Sequence, residues 1–285
     1  MDKYSIKTPN KDFIFMGITL NIKGTRAKKI AFDIRNRAIA FFKYERDGEF
    51  NSESCSEKMS YEIAKVLEYD CARIELARDE EGNLGILNYL FIDISNEEHM
   101  DAASYLNVNE KNRAQVYTIS NIKKTLDGID SKLFSGFIRT MIFDALIGEQ
   151  DRHEENWGII KRNNEYKFSP LYDNGDNLLK EFKNPYNLEK YSSGIKDFDK
   201  YINRSRTLIY KEDNSKKYKH FELIEYLNSE YHTIVQKEIK NLRKLTDEKI
   251  EEIVNKIPDD LLTKVHKDYI IQYLKKRRDI LLSII

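Results

Sequence analysis

Three oxygen-bearing side chains near the middle of the chain, Asp151, Asn156 and Asp173, have the types and spacing needed to move a phosphoryl group. Such transfer requires a carboxylate that orients the attacking hydroxyl and accepts its proton, together with oxygen ligands that hold magnesium on the phosphates. Asp151 and Asn156, five positions apart in Asp151-Arg152-His153-Glu154-Glu155-Asn156, can supply one of each. A second carboxylate must reach the same cation from a nearby strand. Asp173, in Pro170-Leu171-Tyr172-Asp173-Asn174-Gly175, follows an extended run and suits that place. The bland reading of the acidic run is a solvated loop after a helix. His153 reads first as a loop-shaping residue, bonded to Asp173 or a backbone carbonyl, and second as a general base.

Phosphates also need cations. Lys43, near the end of a predicted strand in AFFKYE, is the candidate to contact them, and a glutamate on the following helix should hold it; Glu57 and Glu62 both qualify by position. Gly24-Thr25-Arg26-Ala27-Lys28-Lys29 lies between two predicted strands, where a glycine turn with backbone N–H groups and a basic side chain can cover phosphates. A connector at Leu90-Phe91-Ile92-Asp93 follows from chain order, its backbone set to pair with adenine and Asp93 to meet a ribose hydroxyl.

The elements that must position these groups are legible as patterns. KKIAFDIRN and RAIAFFKYE alternate apolar and polar residues around a short turn, and CARIELAR and LGILNYLFID flank DEEGN, so the first 95 residues read as a small antiparallel sheet. Between the hairpins, Met59, Ile63, Val66 and Leu67 fall on one helical face, and Ser54 with Glu57 has capping-box spacing. Cys71 is expected within a strand. From about residue 95 the pattern turns helical. SKLFSGFIRTMIFDALIGE carries the broad apolar stripe of a buried helix, and it runs into the polar loop and then a hairpin of WGIIKR and YKFSPLYD, with Trp157 expected in the core. HFELIEYLNSEYHTIVQKEI, TDEKIEEIVNKI and LLTKVHKDYIIQYLKKRRDILLSII read as amphipathic helices, with Lys275 to Arg278 as cations suited to a helix end.

Composition narrows the function classes. The 285 residues carry 48 basic and 48 acidic side chains, so no overall field draws the chain to nucleic acid or an anionic membrane. No apolar run approaches the roughly 18 residues of a membrane span, and MDKYSIKTPN lacks the layout of a secretory signal. The expectation is a soluble, cytoplasmic protein, with leaderless export as an effector left open. Two cysteines, Cys55 and Cys71, are too few for a disulfide framework.

The five-residue step from Asp151 to Asn156 equals that between Asp and Asn in the protein-kinase loop H-R-D-x-x-x-x-N. Taken together, the motifs resemble those of the HipA-like kinases, especially compact members without the extra amino-terminal subdomain. In that family a G-x-x-x-K phosphate loop, a strand lysine, a helix with Glu seven residues before Ala, a D-x-H-x-x-N loop and a P-x-Y-D motif occur in order. Here they read Gly24 to Lys28, Lys43, Glu57 with Ala64, Asp151 to Asn156, and Pro170 to Asp173. The Ala64 spacing favours Glu57 over Glu62. DRHEEN also matches the D-R-H-x-x-N loop of phosphatidylinositol kinases. The resemblance implies ATP and magnesium as cofactors and a protein Ser or Thr as acceptor. It also implies autophosphorylation, a toxin or secreted-effector role, and an antitoxin or inhibitor protein as a candidate partner. Thr25 stands beside Gly24 where the family often has an autophosphorylated serine, and DNLLKEFKNPYNLEKYSSGIK does not resemble an activation loop closed by A-P-E.

The resulting expectation is an α+β, two-lobed protein-kinase-like fold. Residues 1–93 form a small antiparallel sheet lobe with one helix, and residues 94–285 a larger, mainly helical lobe. In this reading Asp151 acts on the acceptor hydroxyl with His153 shaping its loop, and Asn156 and Asp173 bind magnesium. Lys43, positioned by Glu57, contacts phosphate together with Gly24, Thr25, Arg26 and Lys28. Leu90, Ile92 and Asp93 line the nucleotide. The rivals are a lipid or small-molecule kinase, a nucleotide-binding pseudokinase, and a metal-dependent hydrolase built on Asp151, His153 and Asp173.

Overall fold

The alternating N-terminal segments form a five-stranded antiparallel sheet: β1 (Phe13–Thr19), β2 (Lys28–Asp33), β3 (Ala38–Tyr44), β4 (Ile74–Arg78) and β5 (Leu84–Tyr89), in the order β1-β2-β3-β5-β4. The computed structural model describes residues 2–19, 28–45, 52–178, 188, 190–191, 197–213 and 216–285. Asp33 folds the β2–β3 turn by accepting the backbone N–H groups of Arg35 and Asn36, each at 2.9 Å. Asp79 does the same for β4–β5 with Glu81 and Asn83, where Gly82 supplies the positive φ of 86°. Alternation gives the sheet two apolar faces. Phe13, Ala31, Ala40, Phe42, Leu87 and Tyr89 form an aromatic-rich outer cluster, while Ile74, Leu76, Leu84 and Ile86 point to the opposite side.

Helix α1 (Ser52–Val66) covers that inner face. It begins two residues before Ser54, so the expected Ser54–Glu57 capping box does not form. Instead the Glu45 carboxylate accepts the backbone N–H groups of Glu53 at 3.0 Å and Ser54 at 2.8 Å, an N-terminal cap supplied from just beyond β3. Glu57, free of capping duty, is buried. Cys71 precedes β4 in an isolated bridge to Leu171 rather than lying in a strand. Both cysteines are free thiols.

Beyond the sheet, β6 (Glu98–Asp101) pairs with β7 (Gly158–Arg162), which pairs with β8 (Glu165–Phe168), all antiparallel. Between β6 and β7 come α2 (Ala103–Leu106), α3 (Arg113–Val116), α4 (Ile119–Ile129) and α5 (Leu133–Ile147). Helix α5 is buried along nearly its whole length, as its broad stripe requires. After β8 come α6 (Phe198–Arg204), β9 (Arg206–Tyr210), β10 (Lys217–Lys219), α7 (His220–Glu230), α8 (His232–Asn241), a 3₁₀ turn (Leu242–Lys244), α9 (Asp247–Asn255) and α10 (Lys264–Leu282). The single helix expected over 220–239 is two, broken at Tyr231, whose φ of −131° and ψ of 41° leave the helical region.

One apolar cluster runs from Ile74, Leu76 and Ile86 through Met59 and Ile63 of α1, and Leu67 just after it, to α5, α9 and α10. The expected row of helix-end cations in α10 divides. Lys275, Lys276 and Arg278 reach acids on the surface, but Arg277 is 0% exposed and donates to Ala145 O, Ile202 O, Ser205 Oγ and Tyr273 Oη. Its bond to Ala145 O satisfies a carbonyl that the end of α5 would otherwise leave bare. No helix among the described residues is long and apolar enough to cross a membrane.

Candidate active site

The site is assembled from the ends of these elements, beginning with Lys43 near the end of β3. Phe42 faces the outer cluster, so its neighbour Lys43 projects toward α1, with only 8% of the residue exposed. Its Nζ lies 3.1 Å from Glu57 Oε1 and 3.3 Å from Glu53 Oε1, one helical turn apart on α1, and donates to Asp173 Oδ1. Burial alone would lower the Lys43 pKa, but Glu57, Asp173 and Glu53 together raise it, so the ammonium stays charged. Burial works to raise the Asp173 carboxyl, yet Lys43, Arg152 and Lys28 draw it down to about 2. The fully buried Glu57 goes the other way: burial raises it against the pull of Lys43.

Glu57 has a second task. Its Oε2 accepts the backbone N–H of Asn174 at 3.0 Å, so one carboxylate fixes both Lys43 and the chain just after Asp173. Asp173 itself has φ of 53°, a left-handed conformation uncommon outside glycine and enriched at strained functional positions. Glu62, the other glutamate considered, pairs instead with Lys58 and Lys65. Lys28 stands directly opposite Lys43 across β2 and β3, which sends both side chains to the same face. Two ammonium groups facing one way suit an anion. The remaining phosphate-loop residues, Gly24, Thr25 and Arg26, lie outside the described residues, as does most of the segment after the second motif.

The Asp151–Asn156 loop hangs from the end of α5. Gly148, with φ of 77°, ends the helix by donating its N–H to Asp144 O at 2.7 Å, and Glu149 then accepts the backbone N–H of Asp151 at 2.8 Å. Arg152 holds the loop together from within. Its guanidinium grips Asp144 through Nε (3.2 and 3.1 Å) and Nη2 (2.8 Å), and donates to Asn156 O at 2.8 Å, Tyr172 O at 2.6 Å and Asn174 Oδ1 at 2.5 Å. One buried cation therefore registers the Asp151–Asn156 loop against the Asp173 motif, using the planar fork that only arginine has. Asn156 Nδ2 donates to Asp151 O at 2.9 Å, a bond that fixes the amide and does not use its oxygen.

His153 does not meet Asp173. Its Nδ1 accepts the backbone N–H of Glu155 at 3.2 Å, while its own N–H donates to Asp151 O at 2.8 Å, so it shapes the loop locally. Among the described residues, no three His, Cys, Asp or Glu side chains gather closely enough to hold a metal by themselves. The connector is pinned by its own hydrogen bonds. The Leu90 N–H donates to Ile39 O at 3.0 Å, and exposed Asp93 accepts from Ser95 N at 3.0 Å and Asn96 Nδ2 at 2.7 Å, organising a turn. Beside Ile92, Phe91 stacks on Tyr172 with centroids 5.5 Å apart, which carries the connector onto the second motif. Trp157 is buried as expected, its Nε1 donating to Tyr117 Oη at 2.7 Å.

Sequence reasoning missed Arg152, Asp144, Glu149, Glu53 and Asn174. Arg152 was visible within DRHEEN as a cation inside an acidic run, but its partners come from three separate segments.

Residues 20–261 match the HipA-like C-terminal domain profile. The chain belongs to the HipA-like C-terminal domain family. A relative in that sense is the serine/threonine-protein kinase CtkA of Helicobacter pylori, 24% identical over 159 residues; the aligned part takes in 55% of this chain but only 47% of the relative. The crystal structure of the H. pylori proinflammatory kinase CtkA superposes with a TM-score of 0.74 at 20% identity, over 90% of this chain and 93% of that one. HipA of Shewanella oneidensis MR-1, solved with HipB and operator DNA, superposes with a TM-score of 0.57 at 12% identity, over 94% of this chain and 65% of HipA. The fold is thus the two-lobed α+β kinase fold of HipA-like proteins, with a small antiparallel sheet and a larger helical part.

Proposed function

We propose that this HipA-like chain is an ATP- and magnesium-dependent kinase that phosphorylates a protein Ser or Thr hydroxyl. The observation that carries this reading is the convergence of Lys43 with Asp173, where Glu57 holds Lys43 directly and the Asp173 segment through the N–H of Asn174, one residue of the sheet half meeting one of the helical half. The donor set fits the group it would hold. Asn156 and Asp173 offer the hard oxygens that magnesium prefers, and Lys43 and Lys28 offer cations on the phosphate side. Bound magnesium would neutralise charge developing on the phosphates. The residues do the rest by placement: Glu57 aims Lys43, Arg152 sets the spacing of the two motifs, and Asp151 orients the acceptor hydroxyl and takes its proton. Likeness to CtkA supports protein as the acceptor, with a sheet lobe over 1–93 and a helical lobe over 94–285. A protein partner that restrains the enzyme, as HipB accompanies HipA in its complex, belongs to the same proposal, as do self-phosphorylation, a toxin or effector role and a cytoplasmic site of action.

Intact mass after incubation with Mg-ATP tests this directly, beside Asp151→Ala. Gain of phosphate by the wild type or an added protein, absent in the variant, is the expected result. Transfer to lipid alone would reassign the acceptor, and nucleotide binding with no transfer to any acceptor would make the chain a pseudokinase.

A further inference from the structure

The β9–β10 hairpin concentrates positive charge beside the catalytic loop. Thr207, Ile209 and Tyr218 point inward and are buried, which sends Arg206 outward on β9 and Lys217 and Lys219 outward on β10. Arg206 stands directly opposite Lys219, a like-charge pair that costs the hairpin stability. Elsewhere on this surface cations are paired with acids, as Lys211 is with Glu222 and Lys276 with Asp199. Among the described residues, Arg206, Lys217 and Lys219 have no carboxylate at ion-pair distance. A local rule broken without a structural gain is a mark of function.

The hairpin is tied to the residues on both sides of Asp151. Tyr210 N–H donates to Tyr117 O at 2.9 Å, and Tyr117 Oη donates to Arg152 O at 3.0 Å. At the other end His220, which follows β10 directly, meets Glu149 O through Nε2 at 2.7 Å. Lys217 consequently lies within electrostatic reach of Asp151, Arg113 and Arg206. Arg113 is engaged, gripping Glu154 with two nitrogens at 2.8 and 2.6 Å, and Lys217 Nζ lies over the Tyr210 ring at 5.5 Å from its centroid, a contact that leaves its charge without an acid for an incoming carboxylate to meet.

We propose that the outward face of this hairpin is an acceptor subsite that selects a Ser or Thr flanked by acidic residues. The inference rests on the kinase reading of the same site. An acceptor must bring its hydroxyl to Asp151 past the exposed carboxylate of Glu155 and, during turnover, phosphates. Acidic flanks would be repelled there unless cations beside the entry hold them, and Arg206, Lys217 and Lys219 stand where such flanks would pass. Nucleic acid is the poorer fit: three cations at the edge of a chain of zero net charge fall short of the roughly 6–10 phosphate contacts that nucleic-acid binders make.

The test uses two labelled peptides with a central Ser, one flanked by Glu and the other by Gln, read by fluorescence anisotropy and by phosphorylation with Mg-ATP. Wild type should bind the acidic peptide at least about tenfold tighter, and Arg206→Glu with Lys217→Glu should erase that preference, raising KM with little change in kcat. The milder Arg206→Gln with Lys217→Gln, checked for unaltered melting, guards against misfolding and should give an intermediate loss. Equal binding of both peptides, or a preference that survives charge reversal, overturns the subsite; so does an oligoribonucleotide that binds tighter than the acidic peptide. Selective binding without phosphate transfer would leave the subsite standing and defeat the kinase reading instead.

Discussion

Glu57 accepts the backbone N–H of Asn174 at 3.0 Å with the one carboxylate oxygen that Lys43 does not use. Lys43 and the Asp173 motif are therefore positioned by a single buried side chain. Glu57→Ala should cost about 3 kcal/mol, since it strips a partner from a buried cation and orphans a backbone donor. Activity should fall by more than stability predicts, because Lys43 would retain Glu53 and Asp173 but lose its aim. Urea unfolding together with the rate of phosphate transfer checks both; unchanged turnover in a folded variant would remove Glu57 from the site.

Arg152→Lys keeps the charge and loses the fork. With Asp144 fully buried, the variant leaves an acid poorly paired and two carbonyls without their donor. The expected cost is roughly 3–5 kcal/mol with loss of activity. A melting temperature within about 2 °C of wild type would show that the network is not what holds the two motifs in register.

Glu149 gives the pH dependence a sign. Burial pushes its carboxyl up to about 8, against the pull of Arg152, so the folded chain holds a proton that the unfolded chain, at about 4.3, releases. The stability from this group is complete below about pH 4, declines as pH rises, and is gone above about pH 8. Glu149→Gln keeps an oxygen for the Asp151 N–H and cannot ionise, so its urea midpoint should fall less than that of wild type between about pH 5 and about pH 8. Parallel curves for the two proteins would refute the assignment.

Gly148→Ala is expected to destabilise strongly for two separate reasons. The residue needs φ of 77°, and an added Cβ would come within 1.9 Å of Tyr273 Oη. Backbone strain accounts for about 1–2 kcal/mol, and the clash adds to it. Gly148→Ala should cost less on a Tyr273→Phe background than on wild type, with the loss of the Arg277 bond to Tyr273 Oη measured in Tyr273→Phe alone; an equal cost on both backgrounds, measured by thermal melting, would put all of it in the backbone.

What could be read from the sequence was local. The Asp151–Asn156 spacing, the apolar stripe of α5 and the alternation of β2 and β3 each lie within one stretch of chain, and the last two are realised as a buried helix and a paired hairpin. What could not be read depends on segments meeting. The α1 cap comes from Glu45, on a different element, so Ser54 and Glu57 look like a capping box until the fold supplies a better acceptor. Arg277 looked like one of four helix-end cations, although its spacing from Ile270, Tyr273, Leu274 and Leu281 puts it on the buried face; that signal was present and outvoted by charge. The break at Tyr231 carries neither glycine nor proline, and the apolar pattern continues past it.

The continuous apolar cluster from the sheet's inner face through α1 to α5 and α10 bears on how such chains can be recombined. A splice at the connector would expose Met59, Ile63 and Leu67 on one fragment and their packing partners on the other. The sheet half is therefore not an exchangeable cassette, and a chimera between relatives must carry α1 together with the helices it packs against.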